Sequence, residues 1–410
     1  MLRVKSEWDD LKAVLVHEPG IEMFYGVLDP NSFLYMRRFN ISKAVDQHRS
    51  LQESFKEMGV EVLKLKELII NSSRTNPSFR KFLETTALNY IKFEGDGEVE
   101  KKAKGFIKDI EDLDDETLFN VILLSPTVLS HEALGTSDYF TRILNEEPLA
   151  NLYFTRDQSI ITDKGLIIGR MSKRARSRET VMIKLGFLAL GEKPIKEISE
   201  PAFLEGGDYL ALDDFVIFGT GDRTSIGGIV QAMEAVDFDE VIVAYNPVLE
   251  HYNDYALTMH LDMYINSPKQ GVIVGNPDIL SNTTVDVYEK KEKGYTRKKK
   301  CSLLSYLKSK GLRIISVSLG EQLLYATNFL TLKDGKFISP DVKRNLNGVK
   351  EYLARRNYED LLNKLKLKDE VFPETREVRE EGLDFIVVDV SELTGGFGGI
   401  HCMTTGIRKN

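Results

Sequence analysis

The sequence predicts an α/β fold closed into a ring of five pseudo-symmetric ββαβ units, with a helical segment inserted into the ring. Three observations carry that expectation. The order strand, tight turn, strand, helix, strand recurs four times between residues 159 and 390. It is preceded, over 70–148, by a stretch whose apolar residues follow helical spacing. The two chain ends then hold the pieces of a fifth unit, so the ring can close and leave only short protected sheet edges.

The units are justified in turn. Residues 159–162 and 166–169 form a hairpin across Asp163-Lys164-Gly165, with a helix near 179–188 and a strand near 195–198. Residues 209–212 and 215–219 repeat the hairpin across Asp213-Asp214, followed by a helix over 225–236 and a strand over 240–244. The third copy pairs 259–265 with 272–274, then has a helix over 301–310 and a strand over 313–317. The fourth pairs 329–332 with 337–339 across Lys333-Asp334-Gly335-Lys336, then has a helix over 345–362 and a strand over 384–390. The fifth joins 402–405 to 13–16, with a helix over 42–58 and a strand over 60–65. Within the third unit, the charge run 286–300 reads as an exposed loop, because acids and bases alternate with little aromatic interleaving.

Bulk composition excludes several classes. A chain of 410 residues with 42% apolar and 29% charged side chains is globular rather than disordered, and the whole of 1–410 reads as one catalytic body carrying the 70–148 insertion. No apolar run is long enough for a membrane span, and the N-terminus lacks a signal-peptide core. Two unpaired cysteines, Cys301 and Cys402, fit a reducing cytoplasm better than a disulfide framework. A net charge of −8 argues against nucleic acid as a partner; it suits a cationic ligand, and it is also what keeps a protein soluble.

The repeat brings polar residues into register. At or just before each first hairpin strand stand Arg156-Asp157, Glu205-Gly206-Gly207-Asp208, His260-Leu261-Asp262, Thr327-Asn328 and His401-Cys402. Each has a bland reading: Cys402 as a small buried hydrophobe beside the turn Gly395-Gly396-Phe397-Gly398-Gly399, His260 and Asp262 as a pair on one strand face, Asp157 as an ion-pair partner. Their recurrence at one repeat position predicts convergence on a central cavity. A cysteine and a histidine suggest thiolate catalysis. Three carboxylates would raise the thiol pKa unless the substrate is itself a cation, and a guanidinium binds carboxylates in a forked geometry. Zinc is the competing use of such residues, but no short ligand pair is present, so no metal is expected.

Five motifs make the chain resemble the arginine deiminase family: Ala13-Val14-Leu15-Val16-His17-Glu18-Pro19-Gly20, Asn151-Leu152-Tyr153-Phe154-Thr155-Arg156-Asp157, Glu205-Gly206-Gly207-Asp208, Met259-His260-Leu261-Asp262 and Gly399-Ile400-His401-Cys402-Met403. The resemblance spans essentially the whole chain. It implies a five-bladed α/β propeller, conversion of arginine to citrulline and ammonia in the cytoplasm without a cofactor, and a dimer or tetramer. It implies Cys402 as nucleophile, His260 as proton donor and then acceptor, Asp157 and Asp262 as guanidinium ligands, and Glu205 as the residue that orients His260. Asn151, Phe154, Arg176, Arg223 and Gly399 match substrate-binding positions, with Arg174 and Arg178 competing for the place of Arg176. Gln158 stands where the family commonly has proline, and Phe397 and His401 stand where members place an arginine. Transfer of the amidino group to an amine, another guanidino substrate, and a non-catalytic scaffold are the alternatives.

Overall fold

The computed structural model describes residues 2–95, 105, 107–132, 139–247 and 258–408. The fold is mixed α/β, built from small sheets. Five of the sheets share one motif, an antiparallel pair whose second strand is joined by a third strand running parallel to it. The sets are Ser159–Ile161, Leu166–Ile168 and Lys196–Glu197; Tyr209–Leu212, Phe215–Thr220 and Glu240–Tyr245; Ile265–Lys269, Val272–Gly275 and Arg313–Ser316; Leu330–Lys333, Lys336–Pro340 and Asp384–Val388; and Thr405–Arg408, Leu11–Val16 and Glu61–Lys64. The last set ties the two chain ends together, with Ala13 opposite Ile407 and Glu61.

Local chemistry explains the turns. Gly335 at φ +79° and Asp213 at φ +62° take the left-handed conformation that tight hairpins require. The inner strands, such as Ser159–Ile161 and Tyr209–Leu212, are buried along their whole length, which is why they read as unbroken apolar runs. Helices cover them. Ile41–Glu57 starts at Asn40, whose side chain accepts from the Lys43 amide, and it buries Leu51 and Phe55.

Several expectations are corrected. The run 286–300 is not a loop: Thr284–Lys290 and Tyr295–Ser302 pair antiparallel and extend the second sheet to five strands. Val285 and Val287 enter the core, and Arg297 neutralises Asp286 across the ladder at 2.6 Å, so the charge run pairs with itself. The helix expected over 345–362 breaks into Leu346–Arg355 and Glu359–Lys364 around Asn357, which has φ +57°. The insertion is not purely helical. Besides Leu65–Thr75, Pro77–Leu88 and Asp115–Leu124 it carries strands Lys92–Gly95, Pro126–Glu132 and Tyr139–Asn145, where β-branched Thr127, Val128 and Ile143 favour a sheet. Part of its charge-dense stretch 94–116 lies outside the described residues. Its helices bury Ile69, Leu83, Phe119 and Ile122 against Met182, Ile183 and Phe187 of helix Glu179–Ala189. Among the described residues no helix is long and apolar enough to cross a membrane.

Candidate active site

The polar residues singled out by the repeat sit in turns just ahead of the first strands, not on the strands. His260 precedes and Asp262 lies within the short 3-10 turn Leu261–Met263 before Ile265–Lys269, so the reading of the two as a pair on one strand face is corrected: the two side chains diverge. Hydrogen bonds join the five turns in a closed circuit. The Gly206 amide donates to Asp157 O (2.8 Å), Leu261 N to Asp208 Oδ1 (3.0 Å), Thr327 Oγ1 to Asp262 O (3.1 Å), His401 N to Asn328 O (3.1 Å) and Arg156 N to Cys402 O (3.1 Å). Close approach is what the two glycines after Glu205 permit. A Cβ on Gly206 would lie 2.1 Å from Arg156 O, and one on Gly207 would lie 2.8 Å from the His260 ring.

The circuit brings two clusters together. In the first, His260 Nε2 lies 2.9 Å from Glu205 Oε2, and His260 Nδ1 lies 3.6 Å from Asp157 Oδ1. Arg176 Nη1 donates to Asp157 Oδ2 (2.7 Å) and its Nη2 pairs with Glu179 Oε2 (2.9 Å). Gln158 Nε2 donates to the same Glu179 oxygen at 2.5 Å. In the second cluster, Cys402 Sγ lies 3.4 Å from Asp262 Oδ2 and accepts from Asn328 Nδ2 (3.1 Å). Asn328 Oδ1 in turn accepts from the Gly399 and Cys402 amides (3.0 and 3.1 Å). All these side chains are buried. Among the groups left with unused hydrogen-bonding capacity are Asp157 Oδ1, Asp262 Oδ1, and Nε and Nη1 of Arg223.

Burial, then Asp262 and Asp157, push the Cys402 thiol well above its ordinary range, so it is protonated at rest. Burial would lower the His260 pKa, but Asp157, Glu205 and Asp208 outweigh it and raise it to about 9, leaving the imidazole charged at neutral pH. Burial works against ionised Glu205, yet Arg223, His260 and Arg176 hold its carboxyl well below the usual carboxylate range. Burial raises Asp208 to about 6. Asp157, Glu205 and His260 offer ligand atoms within 4.8 Å of one another, close enough to hold a metal ion. Their charge is met instead by Arg176 and Arg223, whose Nη1 atoms lie 3.9 and 3.7 Å from Glu205 Oε2, and a dication there would face two guanidinium groups.

The cavity over Cys402 holds about 10 Å³, room for one water, and is lined by Asn151, Phe154, Asp157, Arg176, His260 and Cys402 among others. It shares Leu34, Arg223, Met259 and Phe397 with an outer cavity of about 430 Å³, which Tyr352, Arg355 and Arg356 also line. Of the three competing arginines only Arg176 reaches the site: Arg174 is exposed on Glu147, and Arg178 donates to backbone carbonyls of Ile122 and Glu147. Asn151 is present in the inner cavity, with Nδ2 committed to Phe33 O (2.7 Å). Gly399 is not a lining residue; its amide serves Asn328. Sequence reasoning did not assign roles to Asn328, Gln158, Glu179 or Leu34. Asn328 had a signal in its repeat position; Leu34, in the turn after helix Ile21–Leu28, had none.

Comparison with solved structures places the fold. The chain is similar in fold to a dimethylarginine dimethylaminohydrolase adduct with 4-chloro-2-hydroxymethylpyridine (14% identity, covering 97% of this chain and 99% of that one, TM-score 0.51). It is similar in the same way to SxtG, an amidinotransferase from Microseira wollei in the saxitoxin biosynthetic pathway (12%, 100% and 97%, TM-score 0.52). The arginine deiminase family model matches residues 31–409, and the chain belongs to that family: it is a guanidino hydrolase, acting on a linear amidine C–N bond. Curated arginine deiminases from Halobacterium salinarum (24% identical, covering 100% of this chain and 96% of that protein), Oenococcus oeni (25%, 100% and 97%) and Mycoplasma capricolum (26%, 98% and 96%) are among its relatives.

Proposed function

We propose that the chain hydrolyses L-arginine to citrulline and ammonia through an amidino group carried on Cys402. The observation that carries this reading is the Cys402 thiol beside Asp262, with a free buried oxygen on both Asp262 and Asp157. A buried carboxylate oxygen without a partner is costly, and a substrate guanidinium supplies the missing donors. The outer cavity supports an anionic far end on the substrate, since Arg223, Arg355 and Arg356 line it and, among the described residues, no carboxylate does. The circuit of hydrogen bonds through five turns supports reading the five like sheets as blades of a propeller around the site, with 70–148 inserted into a single catalytic domain.

The chemistry follows from the charges. The substrate guanidinium takes the free oxygens of Asp157 and Asp262 and cancels their repulsion of sulfur, and the thiol releases its proton to solvent. The thiolate adds to the guanidinium carbon, forming a C–S bond. Protonated His260 gives its proton to the departing nitrogen, the C–N bond breaks, and ammonia leaves. Neutral His260, held by Glu205, then takes a proton from water, and the hydroxide adds to the same carbon. The added hydroxyl loses its proton to solvent as the carbonyl forms, the C–S bond breaks, the thiolate is restored, and citrulline leaves.

The test is a product assay with arginine, agmatine and N-methylated arginines. Equal citrulline and ammonia from arginine is the expected result. Turnover of another guanidine with none of arginine overturns the substrate assignment, and no turnover of any guanidine overturns the reading as a whole.

A further inference from the structure

The residue before the nucleophile is unused by the chemistry above, yet it is the most tightly enclosed histidine of the site. His401 is 1% exposed, and its Nδ1 lies 2.7 Å from Asp262 Oδ2. A carboxylate only accepts hydrogen bonds, so Nδ1 carries the hydrogen. The same Oδ2 lies 3.4 Å from Cys402 Sγ. On its other side, His401 Nε2 points toward Glu7, 3.6 Å from Oε2, and has no hydrogen-bond partner. Glu7 is buried, which works against its ionised form, but His401, Arg408 and Arg156 hold its carboxyl far below the ordinary range. Arg408 Nη2 donates to Glu7 at 3.2 Å. The His401 backbone is held from both directions: its amide donates to Asn328 O, and its carbonyl accepts from Arg156 Nε (3.3 Å) and Thr404 Oγ1 (3.2 Å).

We infer that His401 is the positioning residue for Asp262, and that the N-terminal segment, through Glu7, backs the catalytic centre from behind. The inference rests on the guanidino-hydrolase reading above. By occupying Oδ2, His401 fixes the rotation of the Asp262 carboxyl and leaves Oδ1 as its single free acceptor for a substrate N–H. It also draws the charge of Asp262 toward itself and away from the sulfur. Without that donor the carboxyl can turn either oxygen to the thiol, and its grip on a planar cation loses direction. His401 touches neither the substrate carbon nor the sulfur in this arrangement; it acts through Asp262.

The experiment compares the full chain with His401→Leu, which removes the donor at similar volume, His401→Asn, whose amide can replace Nδ1–H, and Glu7→Gln. Two readouts are taken with thermal midpoints alongside: kcat and KM for arginine, and the alkylation rate of Cys402 by 2-chloroacetamidine relative to neutral 2-chloroacetamide. The second reads recognition of a planar cation without requiring turnover. Loss of one charge-assisted hydrogen bond predicts that His401→Leu lowers kcat/KM about 10- to 100-fold, with KM raised, and reduces the amidine-to-amide preference by a similar factor. His401→Asn recovers most of both, and Glu7→Gln shows a smaller loss in the same direction. Should His401→Leu fail to fold, the graded effects of His401→Asn and Glu7→Gln carry the comparison. Wild-type selectivity in His401→Leu, or equal loss in the Leu and Asn variants in step with their thermal midpoints, overturns the inference. A wild type that prefers the amidine but turns over no guanidine overturns the hydrolase reading alone, because the selectivity of the variants still reports on His401.

Discussion

Arg176 Nη1 sits 2.7 Å from Asp157 Oδ2, so the carboxylate proposed to take a substrate guanidinium already holds one from the chain itself. Gln158 is part of the reason. It donates to Glu179, and Glu179 anchors the other side of the Arg176 fork. Gln158 thus helps to place a cation over the site, and the inner cavity is left with space for one water.

That arrangement makes Arg176 structural as well as functional. Arg176→Ala would leave Asp157 and Glu179 buried without the guanidinium that pairs with both, and breaking a buried pair costs about 3–5 kcal/mol. Urea denaturation of the variant should show a loss of that order along with lost turnover. A variant as stable as the parent would mean that solvent, not Arg176, satisfies these carboxylates.

Cys402→Ala should abolish turnover while leaving the thermal midpoint within a few degrees of the parent, because a methyl group fills much of the buried site but cannot attack carbon. Retained citrulline formation would remove the thiol from the mechanism.

His260 sets a pH limit. Its folded pKa of about 9 stands above the ordinary 6.5, so the charged form is favoured by folding. Its contribution to stability is fully present below about 6.5 and is lost as pH rises through 9. The same deprotonation removes the proton needed by the departing nitrogen, so kcat/KM for arginine should fall above about pH 9. A profile from pH 6 to 10.5 checks this, and His260→Gln should lose the alkaline fall in stability together with activity.

Arg355 lines the outer cavity and donates to Met36 O at 2.6 Å, on the chain segment that also contributes Leu34. Its side chain is half exposed, so its electrostatic worth is modest. Arg355→Ala should raise KM for arginine about three- to tenfold, with little change for agmatine, which lacks the carboxylate. Equal effects on both substrates would show that Arg355 serves the loop rather than the anionic end.

The element order was legible because its signals are local. Lys333-Asp334-Gly335-Lys336 turns a hairpin wherever it stands, and the all-buried inner strands announce themselves as apolar runs. The convergence of Asp157, Glu205, His260, Asp262 and Cys402 was legible because they share a repeat position. The charge run 286–300 misled because alternation of acids and bases looks the same on a solvated loop and on a hairpin that pairs them across strands. The 126–145 strands were missed because the helical spacing over 82–113 ahead of them was extended across the whole segment.

By itself the sequence determined which chemical groups this protein has and the turns that present them, since backbone preference and apolar periodicity act over a few residues. Only the tertiary structure decided who partners whom. Arg176 rather than Arg174 or Arg178 reaches Asp157, Asn328 cradles the sulfur, and His401 faces Asp262 instead of solvent. The physical reason is that the partner of a buried charge depends on distance, desolvation and every competing charge around it. Those quantities exist only once residues far apart in the chain have been brought into one interior.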